Sequence, residues 1–193
     1  MDVQLYDEEW DDFKLYCLEG VDDVEEESSS TLLDFLQHLA IEKNITNVYQ
    51  TCDSFEGFES SISNLLFHDK NFRDYKILYF IFKGPNDSIE IDGYYYSLEE
   101  IAELFQGRLT DKIIHFANTK YLDLQEETFQ YFLDVTGAKA VSGYVKNAPI
   151  LSTLLDQHYF EMAKRYDDEV EIVEALFEKH SNLCLSLGFR LYY

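Results

Sequence analysis

The sequence predicts an α/β fold: a three-layer sandwich in which a mostly parallel sheet of about six strands carries helices on both faces. Three observations lead there. Short apolar runs alternate with amphipathic stretches of roughly 10–15 residues, the pattern of strands joined by crossover helices. Lys76–Phe82 is apolar almost throughout, as a strand covered on both faces must be. Ser88–Tyr96 alternates around Asp92-Gly93, a two-residue turn signal that places a small antiparallel hairpin after the third strand.

The elements follow in order. Phe13–Leu18 reads as a buried strand closed by Gly20, and Leu32–Ile41 repeats its apolar residues at helical spacing up to Asn44, with Ser30 or Thr31 available as cap. Ile45–Cys52 is a more polar strand, expected nearer a sheet edge. Asp53 or Ser54 caps a helix whose apolar face is Phe55, Phe58, Ile62, Leu65 and Leu66. After the third strand and the hairpin, Ser97 and Glu100 form a capping box for a helix closed by Gly107. Lys112–Phe116 is the fourth main strand, Leu124–Val135 a helix ended by Gly137, and Ala138–Val145 a fifth strand. Helices are expected from Pro149 to about Arg165 and from Asp167 or Asp168 to about Lys179, and Leu183–Tyr193 is expected as a final strand.

A chain of 193 residues with 46 % hydrophobic and 16 % aromatic content can bury a full core. No linker or repeat divides it, so one domain is expected over residues 1–193, with 1–12 as an acidic lead-in and 21–30 as an acidic, Ser-rich loop. The apolar runs are far shorter than a membrane span. The acidic start MDVQLYDEEW does not resemble a signal peptide, so a cytoplasmic location is expected. Three scattered cysteines, Cys17, Cys52 and Cys184, without CxxC spacing are expected to be buried thiols.

The net charge is −23, and Met1–Glu27 alone carries twelve acidic residues against one lysine. Such a field disfavours nucleic acid, anionic membranes and acidic ligands as partners and favours a protein partner that is basic. Solubility is the plainer use of the same charge.

In open α/β sheets, ligands bind beyond the carboxyl ends of the strands. Those ends read Glu19-Gly20, Cys52-Asp53, Lys83-Gly84-Pro85, Ala117-Asn118-Thr119 and Ser142-Gly143-Tyr144. No GxGxxG, GxxxxGK[ST] or GxSxG stretch follows any strand, so no cofactor is expected. His38, His68, His158 and His180 have no second ligand at metal spacing, so no metal is expected either. Acidic residues at 167, 168, 169 and 171 complement the dipole of a helix start. Tyr94-Tyr95-Tyr96 on the hairpin and Tyr192-Tyr193 are candidate sticky patches.

The segments KLYCLEG, ILYFIFKGP, IEIDGYYYSLEEIAELF, KIIHFANTK and TGAKAVSGYVK, in this order and spacing, resemble a bacterial group of caspase-like cysteine peptidases that includes gingipain relatives. The resemblance extends over nearly the whole chain. It implies a catalytic His before a Gly after the third strand and a Cys nucleophile after the fourth. Here Lys83-Gly84 stands at the first position, and the second falls at or beside Thr119. The chemistry of that group needs a thiolate and an imidazole.

The resemblance therefore implies a domain that keeps the fold without the peptidase dyad and acts as a protein-interaction or regulatory module. Two alternatives remain open. One is a divergent hydrolase using Lys83 with Thr119, or His115 in the fourth strand with a nearby hydroxyl. The other is an acidic decoy that captures a basic protein through Asp7–Glu27. His115 also has the plain reading of a hydrogen-bonded core histidine.

Overall fold

The computed structural model describes residues 13–25, 31–117, 122–146 and 149–193. The acidic lead-in 1–12 and the Ser-rich part of the 21–30 loop lie outside the described residues.

Strand β1 (Lys14–Gly20) is followed by helix α1 (Thr31–Lys43), β2 (Thr46–Cys52), α2 (Phe55–Phe67) and a short 3₁₀ turn (Phe72–Asp74). Then come β3 (Tyr75–Ile81), the hairpin β4 (Ser88–Ile91) and β5 (Tyr94–Ser97), α3 (Leu98–Glu103) and β6 (Ile113–Phe116). The chain closes with α4 (Glu126–Thr136), β7 (Ala140–Tyr144), α5 (Pro149–Arg165), α6 (Glu169–Leu187) and β8 (Phe189–Tyr192). Six strands form one sheet in the order β2-β1-β3-β6-β7-β8. All its pairs are parallel except β7–β8, which is antiparallel.

The expected α/β sandwich is therefore present, with β2 at one edge and the hairpin as a separate two-stranded sheet. The two-residue turn forms as its sequence demands. Asp92 and Gly93 both take positive φ, 51° and 75°, the mirror-image turn that matches the twist of a hairpin.

Alternation along the strands divides the core between the two faces. Leu78, Phe80 and Phe82 pack with Ile114 and Phe116 under α2, α3 and α4. Ile77 and Tyr79 pack with Ile113 and Ala117 under α1, α5 and α6. A strand that must be apolar on both sides reads as an unbroken run, which is why β3 was so visible in the sequence.

Local chemistry ends the helices. Ser54 Oγ accepts from Gly57 N–H at 3.3 Å. Ser97 and Glu100 complete their capping box in both directions, with Glu100 N–H donating to Ser97 Oγ at 3.2 Å and Ser97 N–H to Glu100 Oε2 at 2.8 Å. Asp168 Oδ1 accepts from Val170 and Glu171 N–H groups at 2.9 and 3.1 Å.

Two boundaries differ from expectation. Helix α3 stops at Glu103 and leaves a chain of turns up to Gly107. Helix α6 does not end near Lys179 but runs to Leu187, bent at His180 (φ −131°, ψ 30°). Cys184 and Leu187 continue the buried stripe of Ile172, Ala175 and Leu176, so helical burial overrides the strand-like look of LCLSL. Only past Gly188 (φ 65°) does β8 begin.

Candidate functional site

The carboxyl ends of β1, β2 and β3 surround a cavity of about 190 Å³, and Asp22, Cys52, Asp53, Lys83, Glu90 and Asp92 are among its lining residues. Four of those six are carboxylates, and among the described residues Lys83 is the one cation of the lining. The geometry begins with Gly84, at φ 149°. A Cβ there would fall 2.2 Å from the Ser88 carbonyl oxygen, so only glycine lets the hairpin fold back over the end of β3. The turn is fastened by Glu90 N–H donating to the Lys83 carbonyl at 2.6 Å. Lys83 itself is largely exposed, with Nζ 3.7 Å from Asp22 Oδ1.

Thr119 lies outside the described residues, as does Asn118 beside it. The chain approaches them from Ala117, whose N–H donates to the Phe80 carbonyl at 2.9 Å.

His115 is placed elsewhere. It pairs in register with Tyr79, four residues before Lys83, which sets it about 13 Å down the sheet at the usual rise per residue. The ring is fully buried. Its Nδ1 is 2.9 Å from Ser142 Oγ and its Nε2 is 2.8 Å from Asp156 Oδ1. Tyr79 donates to Asp156 Oδ2 at 2.7 Å, Tyr144 donates to Oδ1, and the Tyr159 hydroxyl lies 3.1 Å from Ser142 Oγ. Tyr79 stacks on the imidazole, with ring centroids 5.6 Å apart.

This node joins β3, β6 and β7 to α5. Burial, reinforced by the Asp156 charge, pushes the Tyr79 and Tyr144 hydroxyls well above the ordinary tyrosine range. Both stay protonated as donors at neutral pH.

A hydroxyl, an imidazole and a carboxylate in sequence are the parts of a nucleophile, its base and the group that orients the base. Ser142, His115 and Asp156 each have zero exposure, so no substrate reaches them in this conformation. Sequence reasoning picked out His115 but missed Asp156 and the tyrosines around it. The signal was a carboxylate inside the apolar face of α5, three and four residues before Tyr159 and Phe160.

The thiols are buried as well, Cys52 in the wall of the edge cavity. All three cysteines of the chain are buried and unbonded. Burial pushes the Cys52 thiol up to about 12, with Asp53 adding to it, and Cys184 up to about 11. Cys17 is shifted well upward, again by burial first and then by Glu19 and Asp156. That direction disfavours the thiolate, the form that attacks carbon.

The remaining sequence candidates resolve as follows. His158 and His180, distant in sequence, are brought together by α5 and α6 with ring centroids 3.7 Å apart. Burial and then the neighbouring imidazole lower the His158 pKa, against Glu161, which favours the charged form. Among the described residues, no group of three His, Cys, Asp or Glu side chains is arranged to hold a metal. Of the acidic run opening α6, Asp168 caps the helix and Glu169 pairs with Lys139 at 3.0 Å. Tyr94 and Tyr95 are exposed, while Tyr96 stacks on Phe55 with centroids 4.1 Å apart. No helix among the described residues is long and apolar enough to cross a membrane.

A family model matches residues 12–193, nearly the whole chain. The chain belongs to that family, described as a family of unknown function (DUF6642). Among solved structures, it is similar to the Drosophila initiator caspase Dronc, with a TM-score of 0.50 and 12 % sequence identity. The match covers 93 % of this chain and 78 % of that one. At that identity the likeness concerns the fold, which is caspase-like: the six-stranded, mostly parallel sheet flanked by helices. A comparison with curated protein sequences gives no match.

Proposed function

We propose that this member of the family is a caspase-like protein-interaction module that works without cysteine-peptidase chemistry. The observation that carries the reading is the state of the thiols. Every cysteine in the chain is buried with its pKa raised, whereas a nucleophilic cysteine sits in an accessible, electropositive place that lowers its pKa. Lys83, standing where the resemblance implies a catalytic His, supports the same reading, because it is largely exposed and lies against Asp22, whereas a lysine that serves as a base is desolvated.

The carboxylates around the edge cavity favour a basic partner. Asp22, Asp53, Glu90 and Asp92 offer acceptors to an arginine or lysine side chain entering beside Lys83. Titration of the full chain with lysine- and arginine-containing peptides, read by chemical shifts of the Gly20, Asp53 and Glu90 amides, tests this. Saturable binding that weakens with salt and with Asp53→Asn is expected. Equal binding of acidic peptides, or shifts unaffected by Asp53→Asn, would overturn it.

The Ser142–His115–Asp156 hydrogen bonds favour one second reading, a hydrolase whose core opens to admit substrate. Covalent labelling of Ser142 by a fluorophosphonate, lost in His115→Gln, would select that reading over the first.

A further inference from the structure

On the opposite edge of the sheet, where β3 and β6 begin, lies a second cavity of about 370 Å³. Its charge inverts that of the molecule. In a chain of 15 basic and 38 acidic residues, Arg73, Lys76, Arg108 and Lys112 all line this one cavity, and among the described residues Asp111 is the one carboxylate of the lining. None of the four cations has a carboxylate within ion-pairing distance among the described residues. Elsewhere among the described residues, Lys14, Lys43, Lys83 and Lys139 each have one, while Lys146 and Lys164 donate to backbone carbonyls instead. What sets these four apart is their convergence on one cavity.

Lys112 shows the cost most clearly. Its side chain is buried, its Nζ donates to the Tyr75 carbonyl at 2.8 Å, and it lies 4.5 Å from the centre of the Phe72 ring. A carbonyl and a ring face soften a buried ammonium without neutralising it. Burial, helped by the nearby Lys76, lowers its pKa against the opposing pull of Asp111 and Asp74. Arg73 and Arg108 stand exposed at the cavity, Arg108 with its guanidinium 4.4 Å over the Phe67 ring. That arrangement offers planar, forked donors at the mouth and a point charge at the back.

We propose that this amino-edge cavity binds a phosphate group, free or carried on a small molecule. Asp111 in the lining, with Asp74 nearby but paired to Lys14, leaves positive charge over, whereas a phosphate brings up to two negative charges and several acceptor oxygens for forked guanidinium donors. The cavity is larger than one phosphate needs, and Phe72 and Tyr75 give a wall for an attached ring. The overall −23 charge does not decide the matter. At physiological salt a field decays over about 8 Å, so the four lining cations set the potential inside the cavity. The site lies on the sheet edge away from Lys83 and does not depend on the interaction reading above.

Isothermal titration of the full chain at fixed ionic strength, with inorganic phosphate, pyrophosphate and AMP as separate probes, tests the site. Saturable binding of at least one probe is expected, and the tightest arm tells whether the group is free or carried on a ring. Arg73→Ala combined with Arg108→Ala, both at exposed positions, should weaken that binding at least tenfold. Lys179→Ala, an exposed cation on α6, should leave it unchanged. Failure of all three probes to saturate, insensitivity to the double variant, or equal binding of glutarate would each overturn the proposal.

Discussion

His115 Nε2 lies 2.8 Å from Asp156 Oδ1 and so joins the fourth parallel strand of the main sheet to helix α5 through a wholly buried contact. The same carboxylate accepts from Tyr79 and Tyr144. It thus gathers two strands' hydroxyls and a third strand's imidazole beneath one helix. Removing it leaves three buried polar groups without their acceptor, each costing about 1–3 kcal/mol. Asp156→Ala should therefore lower stability by more than about 3 kcal/mol. Tyr79→Phe, which removes one donor and leaves two, should cost only about 1 kcal/mol. Urea unfolding followed by far-UV circular dichroism checks both, and equal costs would show that the node is not shared in this way.

Alkaline pH should unfold the protein early. Tyr79 and Tyr144, and with them Tyr16, Tyr75 and Tyr159, have folded pKa values raised above the ordinary tyrosine value of 10.0, mainly by burial. A raised folded pKa means that the stabilisation is complete below the unfolded pKa. It is lost as pH climbs above that value, because the unfolded chain releases protons that the folded chain keeps. The buried thiols act in the same sense from their ordinary value of 9.0 upward. Urea midpoints should hold steady between pH 7 and 8.5 and fall steeply above about pH 10. A flat profile to pH 11 would contradict the burial of these hydroxyls.

At the carboxyl edge, neighbouring residues should behave oppositely. Lys83→Ala removes a largely exposed side chain paired with a nearly free Asp22, and exposed ion pairs contribute little. Its unfolding midpoint should match the wild type within error. Gly84→Ala forces a Cβ to within 2.2 Å of the Ser88 carbonyl oxygen at a left-handed φ, which should cost at least about 2 kcal/mol. Comparable midpoints for the two variants would mean that the hairpin does not close over β3 as described.

The fold was legible where local chemistry and burial agree. The Asp92-Gly93 turn, the Ser97–Glu100 box and the unbroken apolar run of β3 each announced an element that formed. The C-terminal part of α6 was not legible because LCLSL suits either a strand or a buried helix. Only packing of Cys184 and Leu187 against the α5 side decides between them. The site was half legible. Lys83 stood out because strand ends on one sheet edge can be read from order alone. Asp156 did not, since a lone acid on a helix usually faces water, and its partners come from three strands. Arg73, Lys76, Arg108 and Lys112 escaped notice for the same reason: they meet only once β3 and β6 lie side by side.

Digestion of a proteome-derived peptide library by the purified full chain, read by mass spectrometry over a range of pH, tests the central claim most directly. The account predicts no new peptide termini beyond those in a buffer control. New termini at a consistent sequence, abolished by Cys52→Ser, Thr119→Ala or Ser142→Ala, would contradict it and identify the nucleophile.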